Sequence, residues 1–128
     1  MASGICDAAF TDTDDFFEAK DDGKPVIMRP VALESGQTIC IPNTVAIVRG
    51  ARHLENARKL ADFLLSAKTE LALARSKSRQ IPLGPADETQ LPAEVRELLP
   101  HAARGIPLTG LLKSRNECLA WLKAEYLK

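Results

Sequence analysis

The chain has 128 residues, enough for one domain with one core. Lysine plus arginine total 17, as do aspartate plus glutamate, so the formal net charge is zero. A nucleic-acid partner, which draws on a basic excess, is therefore not expected. The hydrophobic fraction of 45% argues against disorder. No window reaches the roughly 18 consecutive apolar residues of a membrane span, so no membrane insertion is expected.

In chain order, Met1-Ala2-Ser3-Gly4-Ile5-Cys6-Asp7 has neither the basic stretch nor the long apolar core of a signal peptide. As it stands, such a chain is expected to stay in the cytoplasm. Residues 5–10 read as a short strand. Residues 12–22 read as a helix carrying Phe16, Phe17 and Ala19, with Gly23 as its C-terminal stop. Residues 25–30, bounded by Pro25 and Pro30, read as a buried strand. Glu34-Ser35-Gly36-Gln37 is a turn signal. Residues 38–41 and 44–48 are rich in β-branched side chains and read as strands interrupted at Pro42-Asn43.

Further along, Ala57, Leu60, Ala61, Leu64, Ala67, Leu71 and Ala74 recur at helical steps, and Ser66 divides the run into two helices. Residues 76–85 read as a loop. Residues 94–99 form a short helix that Pro100 is expected to end. Leu108, Leu111, Leu112, Cys118, Leu119, Leu122 and Tyr126 mark a last amphipathic helix, with Trp121 beside the stripe. Early alternation followed by helices predicts an α/β fold, a small mixed sheet covered by helices, with a helix-rich C-terminal half.

Asp12, Asp14 and Asp15 crowd three carboxylates into four residues. Helix capping explains them, because a helix N-terminus favours acids by about 0.3–1 kcal/mol each. A calcium loop starting at Asp12 fails, since its sixth and twelfth positions are Phe17 and Gly23 where glycine and glutamate are needed. Ligand contact in a cleft is the remaining alternative for residues 11–14.

Elsewhere the chemistry is sparse. His53 and His101 have no ligand-spaced partner and read as surface residues, His101 in a loop after Pro100. Ser35 and Ser66 lack the glycine pair of a nucleophile elbow. Gly23-Lys24-Pro25 lacks the rest of a phosphate loop. Cys6, Cys40 and Cys118 fit no zinc or disulfide pattern and are expected to be buried free thiols. Lys68, Arg75, Lys77 and Arg79 make a mildly basic stretch, read as a solvated helix end. The alternative for that stretch is docking to an acidic partner. No catalytic residue, metal site or cofactor is expected, and the chain reads as a non-enzyme.

Several segments taken together resemble the extracellular solute-binding proteins of ABC importers, of the iron(III) type. Phe10-Thr11-Asp12-Thr13-Asp14-Asp15 resembles a threonine–aspartate stretch of that family, and Gly23-Lys24-Pro25-Val26 the turn and strand after it. Ile41-Pro42-Asn43-Thr44-Val45-Ala46-Ile47 is similar to the next strand, and Ala57-Arg58-Lys59-Leu60-Ala61-Asp62-Phe63-Leu64-Leu65-Ser66 to a helix ending in a leucine–serine step. Gln80-Ile81-Pro82-Leu83 resembles the loop after the paired helices, and residues 117–127 the closing tryptophan-bearing helix.

The resemblance implies a partial type II periplasmic-binding fold. Residues 1–29 would belong to the second lobe, 30–80 would return to the first, and 81–128 would pack back on the second. Residues 26–33 and 78–85 would be hinge segments, with Val26 and Arg29 in hinge and packing roles. The solute would be iron(III) or a related small molecule or metal complex, held between lobes, and an ABC permease would be the partner. The family is periplasmic or extracellular.

Most of one lobe and the iron-binding tyrosines have no counterpart here, so no iron ligand carries over. Thr11, Asp12, Thr13, Asp14, Ser35, Gly36 and Asn43 are the candidate ligand-binding residues, and tight binding by this chain alone is not expected. A standalone, non-catalytic interaction module is the alternative. Strands without their sheet leave bare edges, so self-association or exchange of segments between copies is also expected.

Overall fold

Asp12 opens the first helix by accepting a hydrogen bond from the Asp15 amide at 3.2 Å. The computed structural model describes residues 4–126 of the chain. In it, α1 spans Thr13–Asp21 and stops where Gly23, at φ 71°, takes a conformation that a side chain disfavours. The Met1-Ala2-Ser3 end of the N-terminal segment and Leu127, placed in the last helix from sequence, lie outside the described residues.

The central apolar run is two helices, α2 over Leu54–Leu64 and α3 over Ala67–Ala74. Ser66 makes the break: its hydroxyl accepts from the Thr69 amide at 3.3 Å and donates to the Phe63 carbonyl at 2.7 Å. The two helices pack on each other. A single 3₁₀ turn at Glu88–Gln90 precedes α4, which spans Ala93–Ala102, and α5 spans Leu111–Tyr126.

The core is small. Ala74, Leu91 and Val95 are buried together, with Leu71, Ala86 and Leu99 partly buried around them. Phe17 of α1 and Leu98 of α4 are buried where those helices approach each other.

The expected α/β fold is not formed. Helix takes 46% and strand only 2% of the described residues, which form no sheet. Thr38 supplies what pairing exists, in isolated bridges to Ala32 and Gly105. Its amide donates to the Arg104 carbonyl at 3.0 Å and its carbonyl accepts from the Ile106 amide at 2.9 Å. The β-branched runs misled because strand propensity measures fit to a pleated, half-buried surface, and these residues have no such surface to fit. Pro25, Pro30 and Pro42 also remove ladder donors. Residues 40–47 make no backbone–backbone hydrogen bond among the described residues.

Two smaller expectations also change. Pro100 does not end its helix, which runs on to Ala102. Proline's fixed φ is close to helical, and the next turn is intact, with the Ala103 amide reaching the Leu99 carbonyl at 2.9 Å. The cysteines are not buried: Cys6 and Cys118 are exposed and Cys40 is half-buried.

Candidate functional site

The polar centre of the described chain is Arg79, which lies in the stretch read from sequence as a solvated helix end. It has φ 46°, a left-handed conformation unusual for any residue but glycine. Its amide donates to the Ser76 carbonyl at 3.2 Å, closing a tight turn after α3. The turn throws the side chain across α1. Nη1 and Nη2 each donate to one carboxylate oxygen of Asp21, both at 2.9 Å. The guanidinium carbon lies 4.8 Å from the centre of the Phe17 ring. Nε is 3.9 Å from the Glu94 carboxylate on α4, which also has Lys20 at 3.8 Å.

This geometry sets the charges. Hydrogen bonds from Arg79 hold the Asp21 carboxyl below its ordinary range, against some opposing desolvation and helped by the field of Arg79, Lys77 and Lys20. The Arg79 guanidinium is pushed up by the same hydrogen bonds. The Arg79 side chain is only 19% exposed, so its packing over Phe17 is as much apolar burial as charge pairing.

Beside this node lies an open cavity of about 270 Å³ between α1, α4 and residues 28–30. Phe16, Phe17, Met28, Pro30 and Leu98 line its apolar wall, and Lys20, Glu94, Glu97 and His101 its polar rim. Its volume is just under the range of about 300–1,000 Å³ usual for small-molecule sites. His101 is thus on α4 and half-buried rather than in a surface loop. His53 stands exposed at the start of α2.

The residues proposed from sequence fall in three places. Thr11, Asp12, Thr13 and Asp14 cluster at the α1 N-terminus, where the Thr11 hydroxyl donates to Asp15 at 3.1 Å. Ser35 and Gly36 form a turn in which the Gln37 amide donates to the Ser35 hydroxyl at 3.4 Å and Gly36 has φ 80°. Asn43 donates through Nδ2 to Gln80 Oε1 at 2.7 Å. None of the seven lines the cavity between α1 and α4. No group of three or more His, Cys, Asp and Glu residues suited to a metal ion occurs among the described residues. Nor is any described helix long and apolar enough to cross a membrane.

Sequence reasoning missed the joining of Asp21, Arg79 and Glu94. The basic stretch pointed to Arg79, but nothing periodic links it to an acid 58 residues away. Arg75 in the same stretch is also engaged, donating from Nε to the Gln90 carbonyl at 3.0 Å. Comparison with protein-family models, curated proteins and solved structures found no match to this chain.

Proposed function

We propose that this chain is a non-catalytic segment of the solute receptor of an ABC importer, for iron(III) or a related small solute, and that alone it does not hold the solute tightly. Its support is the coincidence of receptor-like segments with element boundaries. The Thr11–Asp15 stretch carries the N-cap of α1, Gly23 follows its last turn, and the leucine–serine step at Leu65-Ser66 separates α2 from α3. The strands that the resemblance placed after Gly23 and at residues 41–47 are not formed, so the reading rests on the helix-boundary segments alone. It assigns Thr11, Asp12, Thr13, Asp14, Ser35, Gly36 and Asn43 to a cleft wall that needs an opposing wall to bind. Secretion to the periplasm and docking on a permease belong to the same proposal.

Translating the genomic sequence upstream tests it most directly. An in-frame extension large enough to complete two lobes, headed by a signal peptide, is expected, and a stop codon close upstream would overturn the reading. Calorimetry on this chain with ferric citrate, a phosphonate, thiamine and a polyamine is expected to show no tight binding. Sub-micromolar affinity for any of them would refute the claim that the segment is insufficient alone.

A second reading, a standalone interaction module, is favoured by the exposed apolar faces of α2 and α5. The stop codon that removes the first reading supports this one.

A further inference from the structure

The charges around the cavity between α1 and α4 do not cancel. Lys20 lies 3.8 Å from Glu94, and the Arg79 Nε lies 3.9 Å from the same carboxylate oxygen while its two other nitrogens bond Asp21. These two cations and two carboxylates balance one another. Glu97, one turn beyond Glu94 on α4, is the remaining carboxylate of the rim. It is exposed and has no ion pair or side-chain hydrogen bond among the described residues. His101, a turn further on, adds no charge. A guanidinium can only donate, so the Nδ1 that lies 3.3 Å from Arg104 Nη2 accepts, which puts the ring proton on Nε2. Arg104 is not a lining residue, and its Nε donates to the Pro100 carbonyl at 3.2 Å. One lysine against two glutamates leaves the lining one negative charge.

The apolar side is fixed in place. Phe17 and Leu98 are buried, Met28 is half-buried, and the Phe16 and Phe17 rings lie 5.3 Å apart, tilted by 58°. Arg79 takes the face of Phe17, whereas no cation stacks on Phe16 among the described residues. We infer that this cavity binds a small free organic amine, its ammonium on Glu97 and its aromatic or branched apolar body against Phe16, Met28 and Leu98. An ammonium donates a charge-assisted hydrogen bond to a carboxylate and is attracted to an aromatic face, while the body gains by leaving water. The cavity of about 270 Å³ suits a body of one ring. An anion of the same shape meets Glu97 with like charge, and a neutral analogue forgoes the charge-assisted bond. The inference does not rest on the receptor reading, since none of the seven cleft-wall candidates lines this cavity.

Nuclear magnetic resonance titration of the isotope-labelled chain at neutral pH tests it. Phenethylamine should move the amide signals of residues 16–20 and 94–101 saturably, with a Kd of about 1 mM or tighter. Phenethyl alcohol, the same body without the charge, should bind at least about tenfold more weakly, and hydrocinnamate more weakly still. Glu97→Gln keeps the shape at an exposed position. It should weaken the amine about tenfold and leave the alcohol unchanged. Phenethylamine that shifts nothing saturably, shifts only other residues, or binds no better than the alcohol overturns the inference. So does a glutamine variant that binds the amine like wild type. If that variant unfolds, the ligand series on the wild-type chain decides.

Discussion

Arg79 and Asp21 form a two-point hydrogen-bonded pair, both contacts 2.9 Å, across 58 residues of sequence. The pair fixes the turn after α3 against the end of α1, with Phe17 beneath the guanidinium. Arg79→Met should lower the melting temperature by about 3–6 °C, as expected for losing a stacked, paired guanidinium. Arg79→Lys should recover only part, because an ammonium cannot make the two-pronged contact. A lysine variant that melts like wild type would show that charge alone matters.

The same pair predicts a dependence on acid. Asp21 has its folded carboxyl held below the ordinary value of about 3.9, chiefly by hydrogen bonds from Arg79. Its contribution is therefore complete above that ordinary value and disappears as the pH drops through the lower folded one. Asp87 behaves likewise, held down by the Thr89 hydroxyl, the Gln90 side chain and the Thr89 amide. Melting temperatures between about pH 5 and pH 2 should fall less steeply in Asp21→Asn than in wild type, from a lower starting value. Parallel curves would remove Asp21 from the account.

Beneath Arg79, Phe17 is 2% exposed and sits where α1 and α4 approach. Phe17→Ala should cost about 3–5 kcal/mol, a large share of the roughly 5–15 kcal/mol that holds a domain folded. Urea unfolding should show it as a lower midpoint or a lost cooperative transition. Arg79→Met in the Phe17→Ala background should then cost less than it does alone, since the stacking surface is already gone.

Ser66 is both the break and the cap between α2 and α3. Ser66→Ala should cost about 1 kcal/mol, read from the urea midpoint. An equal loss in Asp12→Ala is expected, because Asp12 caps α1 by the same kind of bond.

Thr38 is 2% exposed, and its hydroxyl donates to the His101 carbonyl at the end of α4. Thr38→Val keeps the shape, loses that donor and should cost about 1 kcal/mol. An unchanged midpoint would show that the backbone bonds of Thr38 hold this junction without the hydroxyl.

The helices were legible because their signals are local. Asp12 and Gly23 bracket α1, and Ser66 splits the apolar run within a few residues of what it bonds. Thr38 to Val48 showed the limit of that reasoning: Ile39, Ile41, Val45, Ile47 and Val48 have strand chemistry, but a strand exists only with a neighbour, which composition does not supply. Pro100 misled for a different reason, since its ring is compatible with the helix it was expected to stop. The Asp21–Arg79–Glu94 node was invisible because side chains brought together by packing leave no spacing rule behind. The seven candidate ligand residues remain a proposal carried by resemblance, placed on the α1 end, one turn and Asn43.

The unpaired backbone of residues 40–47 bears on how the chain meets a protease. Cleavage needs a segment that can be drawn into an enzyme's groove without first breaking a ladder or helix, and this stretch meets that condition. Arg49 and Arg52 lie exposed just beyond it, making this the place for trypsin to cut first. Such a cut would not free the N-terminal piece. Thr38 lies on its near side, bonded to Arg104 and Ile106, and Asp21 on the same piece is bonded to Arg79 beyond the cut. A nicked molecule would therefore travel as one body until denatured.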